Sequence, residues 1–221
     1  MKQSSKHPLF TVSIVCIILL LSSNNLFSYI SCNGSGSGYE APPGGKGVGF
    51  QNEIESIIIE GSGYYLQGNS YIQTLLNRIE LQDINGIDYP GIQELIKKAL
   101  ENITNARLIY EKLVNKAEAT PYNQVVIEKL KSFDYETFRQ DKRLNDVVFK
   151  KLEGYLSVGD ITGTFRHVLF VIKEIEKLLI SIQTGMDFSR IEPFWKINEM
   201  CAELSLFGSY TARIFQSIQQ E

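Results

Sequence analysis

Apolar side chains recur along this chain at steps of four and three, the spacing that keeps them on one face of an α-helix. From about Gln51 to Gln82 the seam reads Ile54, Ile58, Gly61, Tyr65, Gly68, Ile72, Leu75 and Ile79. Glycine in a helix interior costs about 1 kcal/mol against alanine, so Gly61, Gly63 and Gly68 predict close backbone approach or a kink. A ligand-facing aromatic turn over Gly61 to Tyr65, with a pocket near Tyr64, Tyr65 and Tyr71, is the competing reading. Asn85 and Gly86 end this helix, Asp88 caps the next, and Pro90 falls in the first turn, where its missing N–H matters least. Ile92, Ile96, Ala99, Ile103, Ala106, Tyr110, Leu113 and Ala117 carry the same rhythm to about residue 118.

The third region, 121–157, is less regular. Val126, Leu130 and Phe133 begin a stripe, and Leu144, Val148, Leu152 and Tyr155 resume it. Between them the rhythm fails, leaving two readings open: one helix with its polar face out, or a break recapped by Asp134. Gly159 stops the region and Asp160 opens a fourth helix, whose seam is Ile161, Phe165, Val168, Ile172, Ile175, Leu179 and Ile182. Leu169, Val171, Leu178 and Ile180 flank that seam, and so broad an apolar surface predicts the most buried helix. Ser189 and Glu192 match a capping box before a last helix, with Ile197, Cys201, Leu204, Gly208, Thr211, Phe215 and Ile218 inward. No segment alternates with period two. The expected fold is all-α, an antiparallel bundle of four to five amphipathic helices forming a single domain over residues 51–221.

The N-terminus has a different character. Lys2 and Lys6 precede the uncharged apolar run Leu9 to Leu21, which is shorter than the roughly 20 residues a membrane span needs. Residues 1–31 therefore read as a signal peptide. Ile30, Ser31 and Cys32 approximate a lipobox, in which the cysteine sulfur is acylated and cleavage follows on its N-terminal side; Tyr29 stands where leucine is usual. Ordinary cleavage leaving a free or disulfide-bonded Cys32, and an uncleaved anchor, are the alternatives. Residues 32–50, rich in glycine and serine, read as a lipidated flexible tether. The run Gly44, Gly45, Lys46, Gly47 is no phosphate loop: Glu40 stands where the first glycine is required, and Gly47 replaces Ser or Thr after Lys46.

Ile30, Ser31, Cys32 and Asn33, with glycine and serine after them, resemble the leader end of borrelial (spirochaete) outer-surface helical lipoproteins. The resemblance covers about 40 residues plus the helical character of the remainder. It implies an address, lipid-anchored and exposed on the outer membrane, and a class of partner: host complement regulators such as factor H, plasminogen or matrix components, bound for immune evasion or adhesion. A periplasmic or envelope structural protein, or a small-ligand sensor, is the alternative.

Charge and chemistry narrow the body's role. The whole chain has 22 Lys and Arg against 25 Asp and Glu, and the leader removes only lysines, so the remainder is acidic and ill suited to nucleic acid. With Cys16 in the leader and Cys32 acylated, Cys201 remains as a small buried hydrophobe, without a disulfide framework. Beyond the leader the histidine is His167; Thr164 stands three before it, so the Glu-x-x-His pair of di-iron bundles is missing. Glu174 and Glu176, two apart on a helix, point to different faces. Neither catalysis nor a cofactor or metal is expected. For partner binding the first candidates are Tyr135, Phe138, Arg139, Lys142 and Arg143, a mix of aromatic and basic side chains of the kind enriched at interfaces. Asp88 and Tyr89 come second. A solvated charged face is the simpler reading of the same residues.

Overall fold

A computed structural model describes residues 46–81, 89–119, 122, 124–142, 144–185 and 192–220. The stretch read as a signal peptide, Cys32, most of the stretch read as a tether, Asp88, Arg143 and Ser189 lie outside the described residues, as does the side chain of Tyr89. The described chain is helical: α1 (Lys46–Leu81), α2 (Tyr89–Glu118), α3 (Gln124–Ser132), α4 (Tyr135–Lys142), α5 (Asp146–Leu156), α6 (Ile161–Gly185) and α7 (Glu192–Gln220). α1 begins at Lys46, inside the stretch read as tether. Once a helix is nucleated each further residue gains a backbone bond, which lets α1 extend toward its N-terminus through Gly47 and Gly49.

Four long helices form the antiparallel bundle. α1 lies against α2, with Ser62 Oγ 3.2 Å from Tyr110 OH. α2 runs antiparallel to α6 through Arg107 and Glu176 (2.8 Å), Glu111 and Lys173 (2.9 Å) and Glu118 and Arg166 (2.9 Å). α7 closes the ring against α1, where the Tyr65 hydroxyl donates to the Cys201 carbonyl and the Gln73 amide to Asn198. The contacts that sequence spacing assigned to the first two seams are buried: Ile58, Tyr65, Ile72 and Leu75 on α1, and Ile92 through Ala117 on α2.

The two seam glycines on α1 mark close approach. A Cβ on Gly61 would stand 2.8 Å from Tyr110 Cε2, and one on Gly68 2.9 Å from Ile103 Cδ1. Gly63 faces open space. Tyr64 and Tyr71 are half-buried against the same core. The glycine and tyrosine run thus serves helix packing.

The third region is neither one helix nor two but three. After Ser132 the chain leaves the helix for Phe133 and Asp134, and Asp134 Oδ1 accepts the Thr137 N–H (3.0 Å) to start α4. Asn145 Oδ1 then accepts from Val147 and Val148 N–H (3.1 and 3.2 Å), starting α5. Ser, Thr, Asn and Asp capture orphan amides in this way at helix starts, so each polar interruption becomes a new first turn. α5 ends with Gly159 at φ 76°, its N–H bonded to Leu156 O and that of Asp160 to Tyr155 O (both 2.9 Å), a Schellman arrangement. Asp160 Oδ1 next accepts the Gly163 N–H (2.7 Å), as its predicted cap role requires.

The short helices pack over the C-terminal half of α7. They widen its buried arc beyond the expected seam: Phe207, Tyr210 and Ile214 join Phe215 and Ile218 in the core, while Gly208 and Thr211 stay half-buried. α6 buries ten of its 25 residues and still keeps an outward arc, where Phe170 is 60% exposed and the flank residue Ile180 44%. Only one arc of that helix is covered by α2, α5 and α7. Among the described residues no helix is long and apolar enough to cross a membrane.

Candidate interaction surface

α4 is eight residues long and has one apolar side. Tyr135 and Phe138, three apart, occupy it and are 5% and 8% exposed. Their rings meet Phe133 edge-on at 5.0 and 5.3 Å, and Phe138 stacks on Phe149 at 6.1 Å. Phe149 in turn meets Tyr210 of α7 edge-on at 6.2 Å. The Tyr135 hydroxyl donates to Leu130 O (2.9 Å), and burial pushes its phenol well above the usual range. The aromatic half of the expected patch is therefore core. A helix this short holds its place only by burying its large side chains, so an outward Tyr135 and Phe138 would leave nothing to dock α4.

The polar half faces solvent, largely paired within itself. Arg139 Nη2 donates to Glu136 Oε2 (2.6 Å), and its Nη1 lies 3.3 Å from Asp146 Oδ1. Gln140 also donates to Glu136 (2.6 Å). Arg139, followed by Gln140, holds the Glu136 carboxyl below its ordinary range. Lys142 is exposed. α5 adds Val147, 68% exposed, and Lys150 one turn on. Neither was singled out from the sequence, though the inward stripe Leu144, Val148, Leu152 leaves 147 and 150 facing out. The surface as built is thus Arg139, Lys142, Val147 and Lys150, edged by Glu136 and Asp146. Arg143 and Asp88 lie outside the described residues, and of Tyr89 only the backbone, the first residue of α2, is described.

Other polar groups are engaged structurally. Glu176 accepts from Arg107 and from Thr104 Oγ1 (2.7 Å), whereas Glu174 meets Lys177, so the two acids do serve different faces. The hydrogen bond to Lys173 comes first in holding Glu111 below its usual range, with Arg107 adding to it. A cleft of about 620 Å³ opens between the end of α2 and the start of α6, beside Glu118, Tyr122, Asp160, Thr162 and Arg166. Its groups satisfy one another: Tyr122 OH and Thr162 Oγ1 are 2.7 Å apart, and Arg166 pairs with Glu118. Among the described residues no group of three or more His, Cys, Asp and Glu is placed to hold a metal ion.

Cys201 is fully buried, and burial pushes its thiol up to about 12. At pH 8 a thiol of that pKa is ionised to the order of 10⁻⁴, and the thiolate is the nucleophile. Native protein should leave the Cys201 peptide unalkylated by iodoacetamide at pH 8, and urea should expose it; mass spectrometry of the digest reads both states.

No family model, curated protein or solved structure matches this chain.

Proposed function

We propose that this chain is a lipid-anchored binding protein, displayed on the outer membrane, whose helical body recruits a host protein. The observation that carries the reading is the order at the N-terminus: a basic start, a short apolar run, Ile30, Ser31 and Cys32, then a glycine and serine tether. Acylation of Cys32 would fix the chain to a bilayer, while the tether holds the body clear of it. The body supports the reading by offering an exposed surface on a packed scaffold, where Lys142, Val147 and Lys150 face solvent beside the Arg139, Glu136 and Asp146 pairs. The resemblance to borrelial surface lipoproteins supports a complement regulator of the factor H type, or plasminogen, as the class of partner.

Contact is assigned to Arg139, Lys142, Val147 and Lys150, with Tyr135 and Phe138 holding α4 in place from beneath. Immobilised protein lacking residues 1–31 should capture such a partner from serum, identified by mass spectrometry. Lys142→Glu with Lys150→Glu should lower capture at least tenfold while helical circular dichroism is unchanged. Full capture by that variant would move the contact elsewhere on the body. Failure to capture any serum protein, together with resistance of the protein to protease on intact cells, would overturn the reading itself.

A further inference from the structure

Where α5 meets the bundle, one carboxylate serves two partners. Glu203 Oε1 on α7 lies 2.7 Å from Lys151 Nζ on α5 and 3.2 Å from His167 Nε2 on α6. The imidazole is enclosed: its side chain is 12% exposed, and its ring lies 4.8 Å from that of Phe207 and 5.9 Å from that of Tyr155. The groups facing it are Lys151 and Tyr155 from α5 and Glu203 from α7. On its own helix the neighbouring Arg166 turns the other way, to Glu118 and Asp160.

We infer that Glu203 is a proton-governed latch: it holds Lys151 and neutral His167 together, and a protonated His167 competes for the carboxylate, releasing Lys151 and loosening α5. The sign follows from the surroundings. Neutral imidazole donates one N–H to Glu203 and adds no charge beside Lys151. The imidazolium brings a second cation to one carboxylate oxygen in a poorly solvated place, which disfavours it. Burial, the largest cause, and Lys151 push the imidazole below its ordinary range, although Glu203 acts in the opposite sense. With a folded pKa below that of the unfolded chain, the unfolded or opened form binds the extra proton. The joint is therefore fully held above about pH 6.5, the ordinary histidine value, and weakens as pH falls through the folded value. The consequence is directional, because α5 carries α4 and the aromatic cluster with it. This inference does not depend on the proposed function.

Hydrogen exchange on the whole mature chain tests it, comparing α5 amides with those of α2 at pH 7.5 and 5.5 after correction for intrinsic rates. The expected result is a several-fold loss of α5 protection on acidification, with about tenfold as the ceiling that one proton sets between these pH values, and α2 unchanged. His167→Gln keeps a donor for Glu203 but does not titrate, and should abolish the pH-dependent part. Lys151→Met leaves His167 alone with Glu203, and should blunt or reverse it. Equal protection of α5 at both pH values in the natural protein, or the same acid loss in His167→Gln, overturns the latch.

Discussion

Replacing Phe149 by alanine is expected to lower the unfolding free energy by about 3 to 5 kcal/mol, the range for truncating a fully enclosed phenylalanine. The side chain is 0% exposed and touches the rings of Tyr135, Phe138 and Tyr210, linking α4 and α5 to α7. Removal leaves a void that rings on two separate helices, α4 and α7, cannot jointly fill, since the α4 backbone that carries Tyr135 and Phe138 is held by the cap at Asp134. Urea unfolding followed by circular dichroism measures the loss. A cost below about 1 kcal/mol would mean that α4 and α5 are not packed on α7 as described.

The second large effect is at the closest approach of α1 and α2. Ile103 is fully buried and its Cδ1 and Cγ1 fill the space beside Gly68. Ile103→Ala should cost about 2 to 5 kcal/mol through the cavity it leaves. Gly68→Ala alone forces its new methyl to within 2.9 Å of that isoleucine, which opposes the gain in helix propensity. Combined, the two changes should cost less than their sum, because the methyl enters the vacated space. A double-mutant cycle reads the coupling directly; strict additivity would show that the two sites do not touch.

The seams of α1 and α2 were legible because long helices average over many turns. Ile92 through Ala117 repeat without interruption, and each of those positions is buried. The glycines at 61 and 68 were legible for the same reason, as missing side chains on an otherwise continuous seam. α4 was not. With eight residues there are two turns, too few for a period to show, and its charges mask the inward Tyr135 and Phe138. Their partners Phe149 and Tyr210 arrive from α5 and α7, and no local pattern announces contacts so distant in sequence. Val147 and Lys150 were readable as the complement of an inward stripe, but only once α5 is known to start at Asn145. The shared carboxylate of Glu203 was hidden for a related reason: its partners come from two other helices.

The direction of the long helices carries one further consequence. α1 starts, α2 ends and α6 starts at one pole of the bundle, where the pair Glu118 and Arg166 stands, and Lys129 of α3 donates to the carbonyl of Ile218 near the end of α7. α2 begins at the opposite pole, and its 30 residues at 1.5 Å each separate the two by about 45 Å. If the body is moored through Cys32 as proposed, α3 and its neighbours would stand at the tethered pole and the start of α2 at the far one. Under the proposed anchoring, a partner gripping Lys142 and Lys150 would bind toward the tethered end, whereas one meeting the start of α2 would bind at the far end. Shortening the stretch between Cys32 and Lys46 would hamper the first and spare the second.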